Sequence, residues 1–278
     1  MKVSRRRSAA DGSARSAREA NEVSTWTAPT ASTGTPHPDQ PLRPLVENAR
    51  AVGVELTPDQ VRLFDIYLRE LLDWNQRVNL TAIADPVDVQ VKHFADSLAC
   101  LLAFPKIDLA QARLIDVGTG AGFPGMPLKI LRPELCLTLL DSTRKKTLFL
   151  EHLAKALGLP DVTVLTARAE EAGRDPAHRE VYDLVTSRAV AEMAALAELC
   201  LPFARVGGRM IAQKKADIHD ELRGARRAIG VLGGRLLPVQ AYGLPGLPEP
   251  RWLVIVEKVR PTPPQYPRRV GLPARKPL

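Results

Sequence analysis

The 278-residue sequence predicts an α/β fold: a seven-stranded, mostly parallel sheet with helices on both faces, preceded by an N-terminal helical subdomain. Three observations lead there. From Arg113 onward, short apolar runs alternate with amphipathic stretches of helical length, the pattern of βα units winding a parallel sheet. One run, Leu114-Ile115-Asp116-Val117, passes directly into Gly118-Thr119-Gly120-Ala121-Gly122-Phe123-Pro124-Gly125. That is the layout of a buried strand, a tight turn and a helix start, suited to a nucleotide-like ligand. A second run, Leu137-Thr138-Leu139-Leu140, ends in Asp141, about twenty residues on, where an acid can accept from ribose hydroxyls.

Taken in chain order, residues 1–44 show no hydrophobic periodicity and are rich in Ser, Ala, Thr, Pro and Arg, with a run at Arg5-Arg6-Arg7. This composition reads as a solvated, disordered tail. No apolar core follows the basic start, which excludes a secretory signal, and the acids Asp11, Glu19 and Glu22 count against an organelle transit peptide. Residues 45–105 form the helical subdomain. Thr57-Pro58-Asp59-Gln60 is a capping box with proline at the first helical position. Val61, Phe64, Leu68, Leu71 and Leu72 continue it as one apolar face to about Asn75. Trp74 to Thr81 has no period and reads as a loop or helix exit. A second helix is expected over 87–104, with Val91, Phe94, Leu98, Leu101 and Leu102 inward and His93, Asp96 and Ser97 on or near the other face. His93 reads as a structural hydrogen-bonder, with a base or ligand role left open.

Residues 106–260 carry the α/β domain. Strands are expected at 113–117, 135–141, 162–166, 182–187, 208–214, 235–241 and 252–258, with helices near 124–132, 143–157, 190–204 and 216–230. The last two strands are joined only by Gly243-Leu-Pro-Gly-Leu-Pro-Glu-Pro250, too short for a parallel crossover, so they pair antiparallel at the sheet edge. Residues 261–278 contain Arg268, Arg269, Arg275 and Lys276 and no acid, an extended basic arm suited to phosphates. The net charge of +8 points to a polyanionic partner, nucleic acid before membrane. No apolar run approaches the roughly eighteen residues of a membrane span, so a cytoplasmic protein is expected. Cys100, Cys136 and Cys200 are scattered in apolar runs, without metal or disulfide spacing.

The acids discriminate between candidate ligands. Gly120-Ala-Gly122-Phe-Pro-Gly125 matches the dinucleotide fingerprint, which alone is a weak signal for an NAD-dependent oxidoreductase. Asp116, two residues before the first glycine, would repel a pyrophosphate but suits a ligand with an ammonium group. The pattern D-x-G-x-G-x-G over Asp116–Gly122 resembles the first motif of class I methyltransferases, Rossmann-like enzymes that bind S-adenosylmethionine (SAM). Over about Leu63 to Leu278 the chain resembles the RsmG (glucose-inhibited division protein B) family, SAM-dependent guanine-N7 methyltransferases of 16S ribosomal RNA. The residues that carry this are Trp74-Asn75 with Val78-Asn79-Leu80-Thr81, His93-Phe-Ala-Asp96-Ser97-Leu98, Asp116 to Gly125, and Leu140-Asp141-Ser142 with Lys145. Arg168-Ala169-Glu170, Ser187-Arg188-Ala189, Gly207-Gly208 with Lys214, and Tyr266 to Leu278 complete them.

The resemblance implies SAM contacts at Gly118, Phe123, Ala169, Glu170 and Arg188. Chemistry adds Asp116, facing solvent at its strand tip, with Gly120 and Asp141. The resemblance further implies RNA contacts at Lys145, Arg168, Lys214 and Arg251, and the basic arm adds Arg268 and Arg269. The partner is then 16S rRNA or the small ribosomal subunit, with no membrane, no metal, and the enzyme a monomer. Guanine N7 bears a free lone pair and no proton, so no general base is expected. Arg188 is the positioning residue, holding the cofactor carboxylate or guanine O6. The sequence lacks an Asn/Asp-Pro-Pro-Tyr/Phe segment for amino-group methylation and a Pro-Cys or Thr-Cys loop for pyrimidine carbon-5 chemistry. A SAM-dependent methyltransferase of another substrate is the remaining alternative.

Overall fold

A computed structural model describes residues 42–103, 111–215 and 218–278. The tail expected over 1–44 lies outside them up to residue 41, and its last residues belong to a helix, α1 (Arg43–Ala51). The sequence pattern did not announce α1. It buries Leu45 and Ala49 in the same core as the sheet. Helix α2 (Pro58–Val78) starts on the expected capping box: Thr57 and Gln60 cap each other reciprocally. It runs past Asn75 to Val78 and stops where Asn79 turns left-handed at φ 48°. The amides of this stretch that broke the apolar period are not exit signals. The Asn75 side chain accepts from Thr81 N and donates to Thr81 O, at 2.9 and 3.0 Å, and so closes the loop after the helix.

The next helical run is continuous but unevenly wound. It passes from α3 (Pro86–Val89) through a π-wound stretch (Gln90–Ala95) to α4 (Asp96–Leu98) and a 3₁₀ turn (Ala99–Ala103). The wider π winding shifts the faces, a feature frequent at functional sites. Asp96 and Ser97, expected on the outer face, are consequently buried, at 3% and 0% exposure.

Strands β1 (Arg113–Val117), β2 (Cys136–Asp141), β3 (Val162–Thr166), β4 (Tyr182–Arg188) and β5 (Ala204–Lys215) pair in parallel in the order β3-β2-β1-β4-β5. Helices α5 (Gly125–Leu131), α6 (Arg144–Ala156), α7 (Ala169–Ala172) and α8 (Met193–Cys200) connect them, and α9 (His219–Val231) follows β5. Strand β8 (Arg251–Lys258) lies antiparallel beside β5. The single strand expected over 235–241 is two pieces, β6 (Gly234–Leu236) and β7 (Gln240–Tyr242), both antiparallel to β8. Pro238 stands between them and has no N–H to give the ladder. The sheet therefore has eight strands, with β8 inside it rather than at the edge.

One apolar cluster joins Leu45, Phe64, Leu71, Phe94 and Leu98 to Leu114, Leu128, Leu137 and Leu139, so the N-terminal helices share a core with one face of the sheet. The other face buries α8 and α9 through Leu196, Cys200, Leu222 and Ile229. The chain winds away from β1 on both sides, and that switch point is where open α/β sheets bind ligands. Among the described residues no helix is long and apolar enough to cross a membrane.

Candidate active site

The β1 and β2 tips are neighbours: Val117 pairs with Leu140. Gly118 N and Thr119 N both donate to Leu140 O, at 2.8 and 3.1 Å. Asp141 Oδ2 accepts from Gly120 N at 3.0 Å and its Oδ1 from Thr143 N at 2.8 Å, so this carboxylate stitches the two tips together. Gly120 takes φ +62°, and a Cβ there would meet nothing within 4 Å: the cradle is open at that residue. Gly122 is closed. At φ +104° its Cβ would lie 2.6 Å from Tyr67 Oη, whose hydroxyl donates to Ala121 O at 2.6 Å. Helix α2 thereby holds the glycine loop from outside the sheet.

Asp116 corrects an expectation. It does not face solvent to meet an ammonium group; it is fully buried. Its Oδ2 accepts from Thr119 Oγ1 at 2.6 Å and Gly125 N at 2.9 Å, and its Oδ1 from Thr186 Oγ1 at 3.0 Å. Burial pushes the carboxyl above its usual range, against these bonds and the Arg188 charge. The acid is the internal strut of the turn, fixing both its start and the first residue of α5.

Arg188 leaves the β4 tip and reaches the π-wound run. Its Nη1 donates to Asp96 Oδ2 at 3.0 Å and Lys92 O at 3.3 Å, and its Nη2 lies 3.2 Å from His93 Nδ1. The guanidinium carbon stands 5.0 Å from the centroid of Phe123. Arginine can only donate, so His93 Nδ1 is the acceptor and Nε2 carries the proton, given to Thr81 Oγ1 at 2.8 Å. Burial first, then the Arg188 charge, lower the His93 pKa from 6.5 to about 3. His93 is thus a neutral spacer between Thr81 and Arg188, with its lone pair taken. Phe123, expected to contact SAM, is 5% exposed and stacked on His93 at 4.5 Å and on Tyr67 at 5.3 Å.

Behind Arg188, Asp96 Oδ1 accepts from Tyr242 Oη at 2.7 Å, and Gln213 Nε2 donates to Asp96 O and Tyr242 Oη at 2.6 and 2.8 Å. Sequence reasoning missed Tyr67, Thr81, Tyr242 and Gln213. Tyr67 and Thr81 had local signals, the inward face of α2 and the motif Asn79-Leu80-Thr81. Tyr242 and Gln213 arrive from distant strands.

The cations expected to meet RNA divide into two sets. Lys145, Arg168 and Arg269 are exposed. Lys214, Arg251 and Arg268 are instead half-buried or buried beside partners within the chain. Lys214 Nζ is tied to Glu221 at 2.6 Å and to Ala191 O at 2.7 Å. Arg251 is 9% exposed, with Nε 3.9 Å from Asp96 Oδ1. Arg268 forks onto Glu198, 2.6–3.0 Å away, whose side chain is wholly buried. The C-terminal segment is therefore folded against the body, not extended. Among the described residues, no group of three or more His, Cys, Asp or Glu is placed to hold a metal ion.

A parallel sheet in the order 3-2-1-4-5 with an inserted antiparallel strand, a glycine turn off β1 and an acid at the tip of β2 together define a class I SAM-dependent methyltransferase. The chain matches the family model of rRNA small subunit methyltransferase G (GidB) over residues 60–247. The ribosomal RNA small subunit methyltransferase G of Roseiflexus sp. (strain RS-1) is 55% identical over 234 residues, 84% of this chain and 98% of that protein. That of Dehalococcoides mccartyi (strain CBDB1) is 50% identical with the same coverage, and that of Lactobacillus johnsonii (strain CNCM I-12250 / La1 / NCC 533) 47% identical over 81% of this chain and 95% of that protein. The chain belongs to the ribosomal RNA small subunit methyltransferase G family.

Proposed function

We propose that this protein transfers the methyl group of SAM to N7 of a guanine in 16S rRNA, free or within the small subunit, as a cytoplasmic monomer. The observation that carries the reading is the cradle left open at Gly120, bounded by Asp141 and braced from below by Asp116. The residues fit the cofactor. Gly118, Gly120 and Asp141 would hold its ribose and amino-acid parts, and Ala169 with Glu170, after β3, its adenine edge. When bound, SAM supplies an electrophilic methyl on a sulfonium.

The chain's own work is positional. N7 needs no deprotonation, and the imidazole closest to Arg188 is neutral with its lone pair engaged. Arg188, locked by Asp96 and His93, sets the spacing between the glycine loop and the helical run, and alignment with exclusion of water supplies the rate. N7 lies in the deep groove of A-form RNA, so the target base must be unpaired or splayed. Exposed Lys145, Arg168 and Arg269 supply phosphate contacts. We assign 106–260 as the transfer unit, 45–105 as its cover and 261–278 as a C-terminal element. The NAD reading of Gly120–Gly125 is not favoured, because the chain's relatives are methyltransferases. Equilibrium binding tests the choice: the purified protein binds SAM and not NADH, and NADH binding without SAM binding would reverse it.

A further inference from the structure

The chain after β8 folds back across α7 and α8 as a strap, held over Gln265–Gly271 by Arg174, Arg179, Glu198 and Glu170. Arg174 donates from Nε to Pro267 O at 2.8 Å and from Nη2 to Gln265 O at 3.1 Å. Arg179 Nη1 donates both to Gly173 O, at the C-terminal end of α7, and to Tyr266 O, at 3.0 and 2.8 Å. One nitrogen thus joins α7 to the strap. Glu198 takes Arg268 through its backbone N at 2.7 Å as well as its guanidinium. Finally, Glu170 Oε1 accepts from Gly271 N at 2.8 Å.

Glu170 is 8% exposed. Among the described residues no hydrogen bond reaches its other oxygen, so one carboxylate oxygen is fixed by the strap and one remains for a ligand. Gly271 takes φ +77°, a conformation a side chain disfavours; the chain turns there so that its N–H points at Glu170. The following turn, α10 (Leu272–Arg275), buries Pro273. Four-residue α7 is too short to hold itself in register, so its orientation depends on what binds it.

We infer that the C-terminal strap positions the SAM site: Arg268 and Gly271 are positioning residues that fix α7 and the Glu170 carboxylate at the cofactor's adenine edge. This rests on the reading that Ala169 and Glu170 line the SAM site. It replaces the role of an RNA-binding arm for Arg268, whose fork is already filled by a carboxylate.

The test compares the full-length parent with Arg268→Ala, Arg268→Lys and Pro273→Asp, well below their unfolding midpoints. Arg268→Ala strands the buried Glu198 charge. Pro273→Asp evicts the last turn while leaving that pair intact, and so carries the test if the first variant does not fold. The KM for SAM rises about fivefold or more in Arg268→Ala and Pro273→Asp and less in Arg268→Lys, while kcat at saturating SAM and the KM for rRNA stay within about twofold of the parent. A SAM KM within about twofold of the parent in every folded variant overturns the inference, as does a change confined to the rRNA KM. Failure of the parent itself to bind SAM in equilibrium dialysis would overturn the functional reading beneath it; parental binding with unmoved variants overturns the strap alone.

Discussion

Replacing Asp116 by alanine tests the strut beneath the glycine loop. The carboxylate accepts one backbone N–H and two hydroxyls with no water access. In the alanine variant Thr119 and Thr186 can turn their hydroxyls elsewhere, but Gly125 N–H cannot move without unwinding the first turn of α5. A buried donor left unmet costs about 1–3 kcal/mol, and each charge-assisted bond lost carries a comparable contribution. Part of this is returned, because burying the charge was itself unfavourable, as the raised carboxyl pKa shows. The net expectation is a loss of about 2–4 kcal/mol. Asp116→Asn keeps an acceptor for Gly125 N, and one hydroxyl can rotate to accept from the new amide, so it loses only about 1 kcal/mol. Urea unfolding gives both values, and isothermal titration gives SAM affinity, which falls in the alanine variant because Thr119, between Gly118 and Gly120, and Gly125 lose their anchor. An alanine variant that unfolds at the parent's midpoint, or binds SAM with parental affinity, would refute the strut.

Tyr67→Phe removes the hydroxyl held by Ala121 O and nothing else; a loss of about 0.5–1.5 kcal/mol in SAM binding follows, seen as a KM change of about two- to tenfold with kcat retained. His93 makes the acid limb of stability steeper. Its folded pKa is lowered from 6.5 to about 3, so the unfolded chain binds the extra proton; the contribution is complete above pH 6.5 and is lost as pH falls from there toward 3. Unfolding at a series of pH values reads this slope, at most about 1.4 kcal/mol per unit, and His93→Gln flattens it. Alanine at Lys145, Arg168 or Arg269 each lowers the log–log salt slope of rRNA binding by about 0.7–0.9, whereas Arg251→Ala, a buried position, acts on stability first; filter binding across a salt series separates the two.

The central strands β1, β2 and β4 were legible because they are buried apolar runs, β1 leading into glycines and β2 ending in an acid, and burial on both faces leaves that pattern little freedom. Helix α2 was legible from its cap. What escaped the sequence has a common physical cause. Asp116 was placed at a strand tip correctly but turned the wrong way, because nothing local says whether an acid beside a glycine turn faces outward or folds under it; Thr119 and Thr186 decide that, and Thr186 lies on another strand. The π-wound stretch over Gln90–Ala95 rotates Asp96 inward against the regular helical period. The charge run at the C-terminus gave no sign that Glu198, seventy residues upstream, would take Arg268. The break between β6 and β7 has a local cause in the sequence, Pro238, which has no N–H for the ladder.

Mapping the product tests methyl transfer to a ring nitrogen aligned without a base. 16S rRNA is incubated with the protein and SAM, then treated with borohydride and aniline, which cut the chain at 7-methylguanine. Cleavage at a guanine, dependent on SAM and on the protein, is the expected result. Methyl incorporated without cleavage, on an exocyclic amine or a pyrimidine carbon, would contradict it.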